Sequence, residues 1–225
     1  MINELLWFEL LIGCFLLIML AYTLWGRTGL YVWTAIAVIL ANIQVMKTVE
    51  FFWLVTAMGN VIYGSLFLVT DILNELYSEK EARKAVWIGF YSLISATLVM
   101  QATLYFVPHS SDFLSPHLDA VFGLLPRITV ASLAAYLVSQ FHDVWLFARL
   151  RRAFRGRKLW LRNNISTFTS QTMDNIVFTL IAFTGVFSWS VMGQIFITSL
   201  AMKWVVSIAD TPFIYWARRM KAREK

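Results

Sequence analysis

A lysine in the middle of an apolar run, with an aspartate two helical turns beyond it, restricts what this chain can fold into more than any other feature. Met192–Tyr215 reads MGQIFITSLAMKWVVSIADTPFIY. The run is long enough to cross a bilayer as a helix, which takes about 20 predominantly apolar residues. Lys203 lies near its centre and Asp210 follows seven residues later, so the two share a face, about 10 Å apart along the axis. A charge at mid-membrane costs on the order of 2.5–3.5 kcal/mol on insertion scales, so it should face the protein interior and find a partner. Other helices must surround this one, and some must carry acids.

Composition agrees. Of 225 residues 59% are hydrophobic and 14% charged, with a mean hydropathy of +0.66; a soluble domain carries about 25% charged residues. The expectation is an all-α integral membrane protein without a separate soluble module. Cys14 is the single cysteine, which excludes an intramolecular disulfide and a multi-cysteine metal site. His109, His117 and His142 form no H-x-x-x-H pair, so a zinc-protease helix is not supported. No catalytic residue, metal or cofactor is expected.

Apolar periodicity marks seven segments: Leu5–Trp25, Leu30–Met46, Phe52–Tyr77, Val86–Val107, Ile128–Ala148, Ile165–Phe187 and Met192–Ala217. The connections after segments one, three and five, with the tail, hold sixteen of the nineteen basic residues. The alternate side has Lys47 and Arg127, and Lys203 is intramembrane. Basic residues favour cytoplasmic loops, so the N-terminus is expected outside and the C-terminus inside. The basic run 149–162 then reads as a cytoplasmic loop against anionic lipid headgroups, not as a nucleic-acid site. The outer connection 108–126 carries His109, Asp112, His117 and Asp119 at irregular spacing, as in a solvated loop, and Pro126 suits the first turn of a helix.

Most segments carry one polar face. Asn60, Gly64, Phe67, Asp71, Asn74 and Glu75 recur at threes and fours; so do Thr129, Ser132, Tyr136, Gln140 and Asp143; then Thr167, Ser170, Gln171 and Asp174; then Ser199, Lys203, Ser207 and Asp210. Segment two adds Asn42 and Gln44. Hydroxyls and amides alone could be interhelical glue. Four acids and a lysine call for a functional polar cavity, with Lys203 paired to Asp174 or Asp143. Glu9, Asp71 and Glu75 could also reach an interface. Carboxylates accept paired N–H donors, amides donate and accept, and Tyr136, Trp204, Phe67 and Phe178 offer rings for stacking. A small planar polar solute fits; composition does not choose it over an amino acid or a cation.

The ordered motifs resemble those of the queuosine-precursor transporters, also grouped as vitamin-uptake-type transporters. The residues are Ala41-Asn42-Ile43 with Lys47; Thr70-Asp71-Ile72, Glu75 and Tyr77 before Ala82-Arg83-Lys84; Arg127-Ile128, Ala131-Ser132 and Ala135-Tyr136; Gln140, Asp143 and Leu146-Phe147; Ser166-Thr167, Gln171 and Asp174; and Lys203. Ser78 stands where the family pattern has glycine. The resemblance implies a six-helix core over 29–217, an additional N-terminal helix over 1–28 and a basic tail over 218–225. It implies import of 7-cyano-7-deazaguanine, 7-aminomethyl-7-deazaguanine, queuine or related 7-deazapurines for tRNA queuosine salvage, across the cytoplasmic membrane. Carried over residue by residue, the substrate-binding candidates are Asn42, Asp71, Glu75, Arg127, Tyr136, Gln140, Asp143, Gln171, Asp174 and Lys203. The alternative is a substrate-capture subunit of an ATP-driven importer; the chain has no P-loop of its own. Homodimer assembly and an ATPase partner are both compatible with the chain. A third reading, an intramembrane enzyme, would depend on His142.

Overall fold

The computed structural model describes residues 2–45, 47–52, 54–123, 126–185 and 188–223. Helices α1 (Ile2–Trp25) and α2 (Arg27–Gln44) lead into a β-hairpin, β1 (Thr48–Phe51) and β2 (Leu54–Ala57). Then come α3 (Asn60–Leu76) and α4 (Glu79–Leu104), a short turn of helix α5 (Ser115–Leu118) continuing as a π-turn over Asp119–Gly123, and three long helices, α6 (Pro126–Ala153), α7 (Leu159–Phe183) and α8 (Trp189–Arg223). The segment ends expected at Met46 and Phe187, and Lys225 of the tail, lie outside the described residues.

The centre of the bundle is α3. It packs against α1, α2, α4, α6 and α8, and every residue from Gly64 to Glu75 is buried. A helix buried all round belongs in the middle of a bundle. Small residues let neighbours come close: a Cβ on Gly64 would stand 2.6 Å from a methyl of Val206 on α8.

The hairpin departs from the expected helix over 52–77. Val49 pairs with Thr56 and Glu50 with Val55, and β-branched side chains favour that pleated geometry. The apolar run through Phe52 and Ala57 disguised it as the start of segment three. Gly59 ends the excursion at φ +88°, where a Cβ would lie 2.9 Å from the Ala41 carbonyl oxygen. The hairpin is tied to the start of α1: Asn3 Nδ2 donates to the Glu50 carbonyl at 2.9 Å, and the Phe52 amide donates to Glu4 at 3.0 Å.

The exterior is apolar. On α1, Trp7, Leu11, Phe15, Ile18 and Tyr22 form the stripe packed on the core, while Leu5, Phe8, Ile12, Leu16 and Leu20 are exposed. Exposed apolar surface on this scale marks contact with a membrane or a partner. By length and hydropathy alone α1 and α4 pass as membrane spans among the described residues. The later helices carry polar side chains instead, and these turn inward.

Ser78 has a local role. At φ −168° it needs no glycine, and its Oγ accepts the Glu81 amide at 3.3 Å, capping α4. Removing an N-cap hydroxyl typically costs about 1 kcal/mol, and a glycine in its place only a few tenths. Ser78→Ala should therefore melt earlier in detergent than Ser78→Gly; equal melting would remove the cap from the account.

The basic run 149–162 is not one loop. Arg149, Arg151 and Arg152 belong to α6, Arg162 belongs to α7, and the connection is 154–158. Arg162 is fully buried. In the connection between α4 and α5, the Asp112 carboxylate accepts the Leu114 and Ser115 amides and the Ser115 hydroxyl. The Ser115 hydroxyl and then the two amides hold that carboxyl below the usual aspartate range.

Candidate functional site in the bundle interior

The polar interior is gathered by α7. Arg162, Asn163, Ser166, Thr167, Ser170, Gln171 and Asp174 recur at threes and fours, all buried, and so form one face. That face meets acids and bases from α3, α6 and α8 in layers along the bundle axis.

In the layer farthest along α7, Lys203 of α8 pairs with Asp174 Oδ2. The Tyr63 hydroxyl of α3 donates to Asp174 Oδ1 at 2.6 Å, and Ser139 of α6 reaches the same oxygen at 3.4 Å. The ammonium also stands 5.4 Å from the centre of the Tyr63 ring, within cation–π range. Of the two partners considered for Lys203, the structure selects Asp174, and both oxygens of that carboxylate are engaged.

Gln171 lies one turn from Asp174 on α7, and Gln140 one turn from Asp143 on α6. Both are fully buried, and neither end of either amide makes a hydrogen bond with the described residues. Buried amides without partners are rare, because each unpaired group costs about 1–3 kcal/mol.

The next layer holds three aspartates. Asp71 Oδ2 accepts from Thr167 at 3.3 Å, Asp143 Oδ1 from Ser166 at 2.8 Å, and Asp210 Oδ1 from Asn163 at 2.9 Å. Each keeps its second oxygen buried, with no hydrogen-bond partner among the described residues.

The final layer closes on Glu75. Arg162 Nη2 is 2.5 Å from Glu75 Oε2, and Arg151 of α6 and Arg218 of α8 each stand 3.7 Å from the same carboxylate. The Arg162 guanidinium also lies 5.2 Å from the centre of the Phe147 ring. Arg151 donates to the carbonyl of Asn74, and Lys221 of α8 to that of Leu76, so basic side chains also satisfy the last carbonyls of α3.

Among the expected site residues, Asp71, Glu75, Gln140, Asp143, Gln171, Asp174 and Lys203 thus belong to one buried column. Tyr136 borders it, fully buried, with its ring 6.0 Å from that of Tyr63. Two residues lie elsewhere. Asn42 is half-buried and lines a cavity of about 220 Å³ with Thr97, Gln101 and Thr129. Arg127 is exposed and donates to the carbonyls of Ile181 and Thr184, closing the end of α7. His142 Nδ1 shares a hydrogen bond with the Ser170 hydroxyl at 2.8 Å, an interhelical contact between α6 and α7.

Sequence reasoning missed Tyr63, Ser139, Arg162 and Asn163. Tyr63 sits four residues before Phe67, and Arg162 and Asn163 lie one turn before Ser166 and Thr167, so periodicity carried a signal for three of the four.

Helices with an apolar exterior and a charged, polar interior define a helical membrane protein. The chain belongs to the family described as "Putative vitamin uptake transporter", whose model matches residues 57–217. It is 44% identical over 221 residues to a Bacillus subtilis protein named "Probable queuosine precursor transporter", covering 98% of this chain and 96% of that one. A Haemophilus influenzae protein of the same name is 33% identical over 127 residues, covering 56% of this chain and 51% of its own length. The "Queuosine precursor transporter" of Escherichia coli is 26% identical over 143 residues, covering 64% of this chain and 62% of its own. No solved structure matches the chain.

Proposed function

We propose that this chain carries queuosine precursors, planar 7-deazaguanines, across the cytoplasmic membrane, and that the cargo engages Gln140, Gln171 and the free oxygen of Asp143. The observation that carries the reading is the pair of fully buried, unpartnered amides. A guanine-type edge presents adjacent N–H donors beside a carbonyl acceptor. A carboxylate suits the donors, and an amide can complement either group. Asp174 and Lys203 serve as the neutral pair that shapes one end of the site, and Tyr136 and Tyr63 supply its aromatic wall. Glu75 and its arginines close the other end. The full-length similarity to a protein named for queuosine precursors supports the same cargo.

In this reading α2, α3, α4, α6, α7 and α8 form the six-helix core, and α1 is an additional span packed against it. The N-terminus is outside, and residues 218–225 are cytoplasmic. The connection 154–158 is then cytoplasmic as well. A cysteine replacing Gly156, introduced after Cys14 is removed, should resist an impermeant thiol reagent applied to intact cells and react once the cells are opened. Labelling in intact cells would reverse the orientation.

Function is tested with the purified chain in lipid vesicles, offering 7-cyano-7-deazaguanine, 7-aminomethyl-7-deazaguanine, queuine, guanine and adenine. Uptake of deazaguanines by the chain alone is the expected result. Binding without uptake would favour the capture-subunit alternative. Indifference to all five would contradict the cargo.

A further inference from the structure

The interior holds more acid than base. Lys203 is matched by Asp174 and Arg162 by Glu75. Asp71, Asp143 and Asp210 remain, all fully buried, and among the described residues none stands within ion-pair distance of a lysine or arginine. They come from three helices and converge on about one turn of α7, where Thr167, Ser166 and Asn163 hold Asp71, Asp143 and Asp210 in that order. Ser207, one turn from Asp210 on α8, adds a buried hydroxyl without a partner among the described residues.

Three carboxylates cannot share a low-dielectric site as three negative charges; something positive must accompany them. A caged metal ion is one candidate. Among the described residues, however, no three acid, histidine or cysteine side chains are arranged to hold one. Each acid instead has one oxygen fixed by a donor from α7 and one oxygen left free. A single free oxygen per carboxyl is the geometry for accepting a proton. Among the described residues no lysine or arginine pairs with an acid inside the layer. Lys203 and Asp174 with Tyr63 lie beyond the glutamines on one side, Glu75 with Arg151, Arg162 and Arg218 on the other, and His142 is bonded to Ser170.

We propose that Asp71, Asp143 and Asp210 form a proton relay through the bundle interior, and that proton movement along it is coupled to transport. Each step forms an O–H bond on one free carboxylate oxygen and breaks the O–H bond on its neighbour, with no redox change. Asp143, placed both in the relay and beside the proposed cargo, is the point where the two meet. The coupling half of this inference rests on the transport reading above; the relay itself does not.

The relay is tested without cargo by infrared difference spectroscopy of the purified protein in vesicles over a pH series. The wild type should show carbonyl stretches of protonated, buried carboxyls that shift in heavy water and disappear at high pH. Asp71→Asn and Asp210→Asn should each remove part of that signal. A wild type with no such bands would overturn the relay, whatever the variants do. Coupling is tested by an inward acid gradient, which should raise deazaguanine accumulation several-fold in wild-type vesicles. Asp210→Asn should keep cargo binding and exchange but lose the gradient response. A wild type that binds deazaguanine yet ignores the gradient would overturn the coupling. Failure to bind deazaguanine at all would instead overturn the cargo, and the infrared result would still decide the relay.

Discussion

Lys203→Met should destabilise the folded protein by about 3–5 kcal/mol, the usual cost of leaving one member of a buried ion pair uncompensated. The ammonium is the one cationic partner of Asp174 among the described residues, and that carboxylate is almost wholly buried. Tyr63 and Ser139 would remain as donors but bring no charge. Asp174→Asn added to Lys203→Met removes the orphaned charge and should recover a good part of the loss, because a neutral amide can still accept from Tyr63. Melting in detergent measures both steps. A double variant no more stable than Lys203→Met would show that the pair is not what holds α7 to α8 at this level. Asp143→Asn should give no such rescue, since Asp143 does not contact the lysine.

Glu75→Gln should cost a similar amount, about 3–5 kcal/mol, for the same reason seen from the other charge. Arg162 is fully buried, and Glu75 is its one acidic partner among the described residues. Arg151 and Arg218 stand by the same carboxylate, so its neutralisation would set three cations from three helices against one another. Glu75→Gln with Arg162→Met should be more stable than Glu75→Gln alone, because the methionine fills apolar space beside Phe147 without a charge. Glu75→Gln that melts with the wild type would contradict the closure described here. Because Glu75 ties α3 to α6, α7 and α8 at one end, the variant should also expose that end to thiol reagents at cysteines placed in α3.

Much of this architecture was legible in the sequence, and the failures have physical causes. Long helices announce themselves by apolar periodicity, and the polar stripes of segments five to seven became the inward faces of α6, α7 and α8. The hairpin was hidden because Phe51 to Met58 is apolar apart from Thr56, and only Gly59 and Asn60 part it from the apolar run of α3. Nothing in a continuous apolar run distinguishes a strand pair from the first turns of a helix. The central place of α3 was hidden for a related reason. Its stripe of Asn60, Phe67, Asp71 and Glu75 suggests one polar face, yet Leu66, Leu68, Val69 and Ile72 are buried as well, so the helix is enclosed on all sides. Arg162 was masked by its company. In a run with six other basic residues it looked topogenic, and only its phase with Ser166, Thr167 and Asp174 set it apart. The partner of Lys203 needed coordinates, because Asp143 and Asp174 satisfy the same sequence argument. Arg127 looked like a site residue by resemblance; the structure places it at the end of α7, bonded to backbone carbonyls, apart from the buried column.

Equilibrium binding of 7-cyano-7-deazaguanine to the purified protein tests the central claim most directly, comparing the wild type with Asp143→Asn and Gln171→Leu. A site built to hydrogen-bond a polar edge discriminates strongly, because a missing partner leaves buried groups unpaired. Asp143→Asn turns an acceptor oxygen toward donor character, and Gln171→Leu removes an amide of similar size. Each variant, folded and melting as a single transition, should bind at least about tenfold more weakly, roughly 1.4 kcal/mol. The wild type should prefer the guanine-type edge to that of adenine. Wild-type affinity in both folded variants, or no preference between the two edges, would contradict the account.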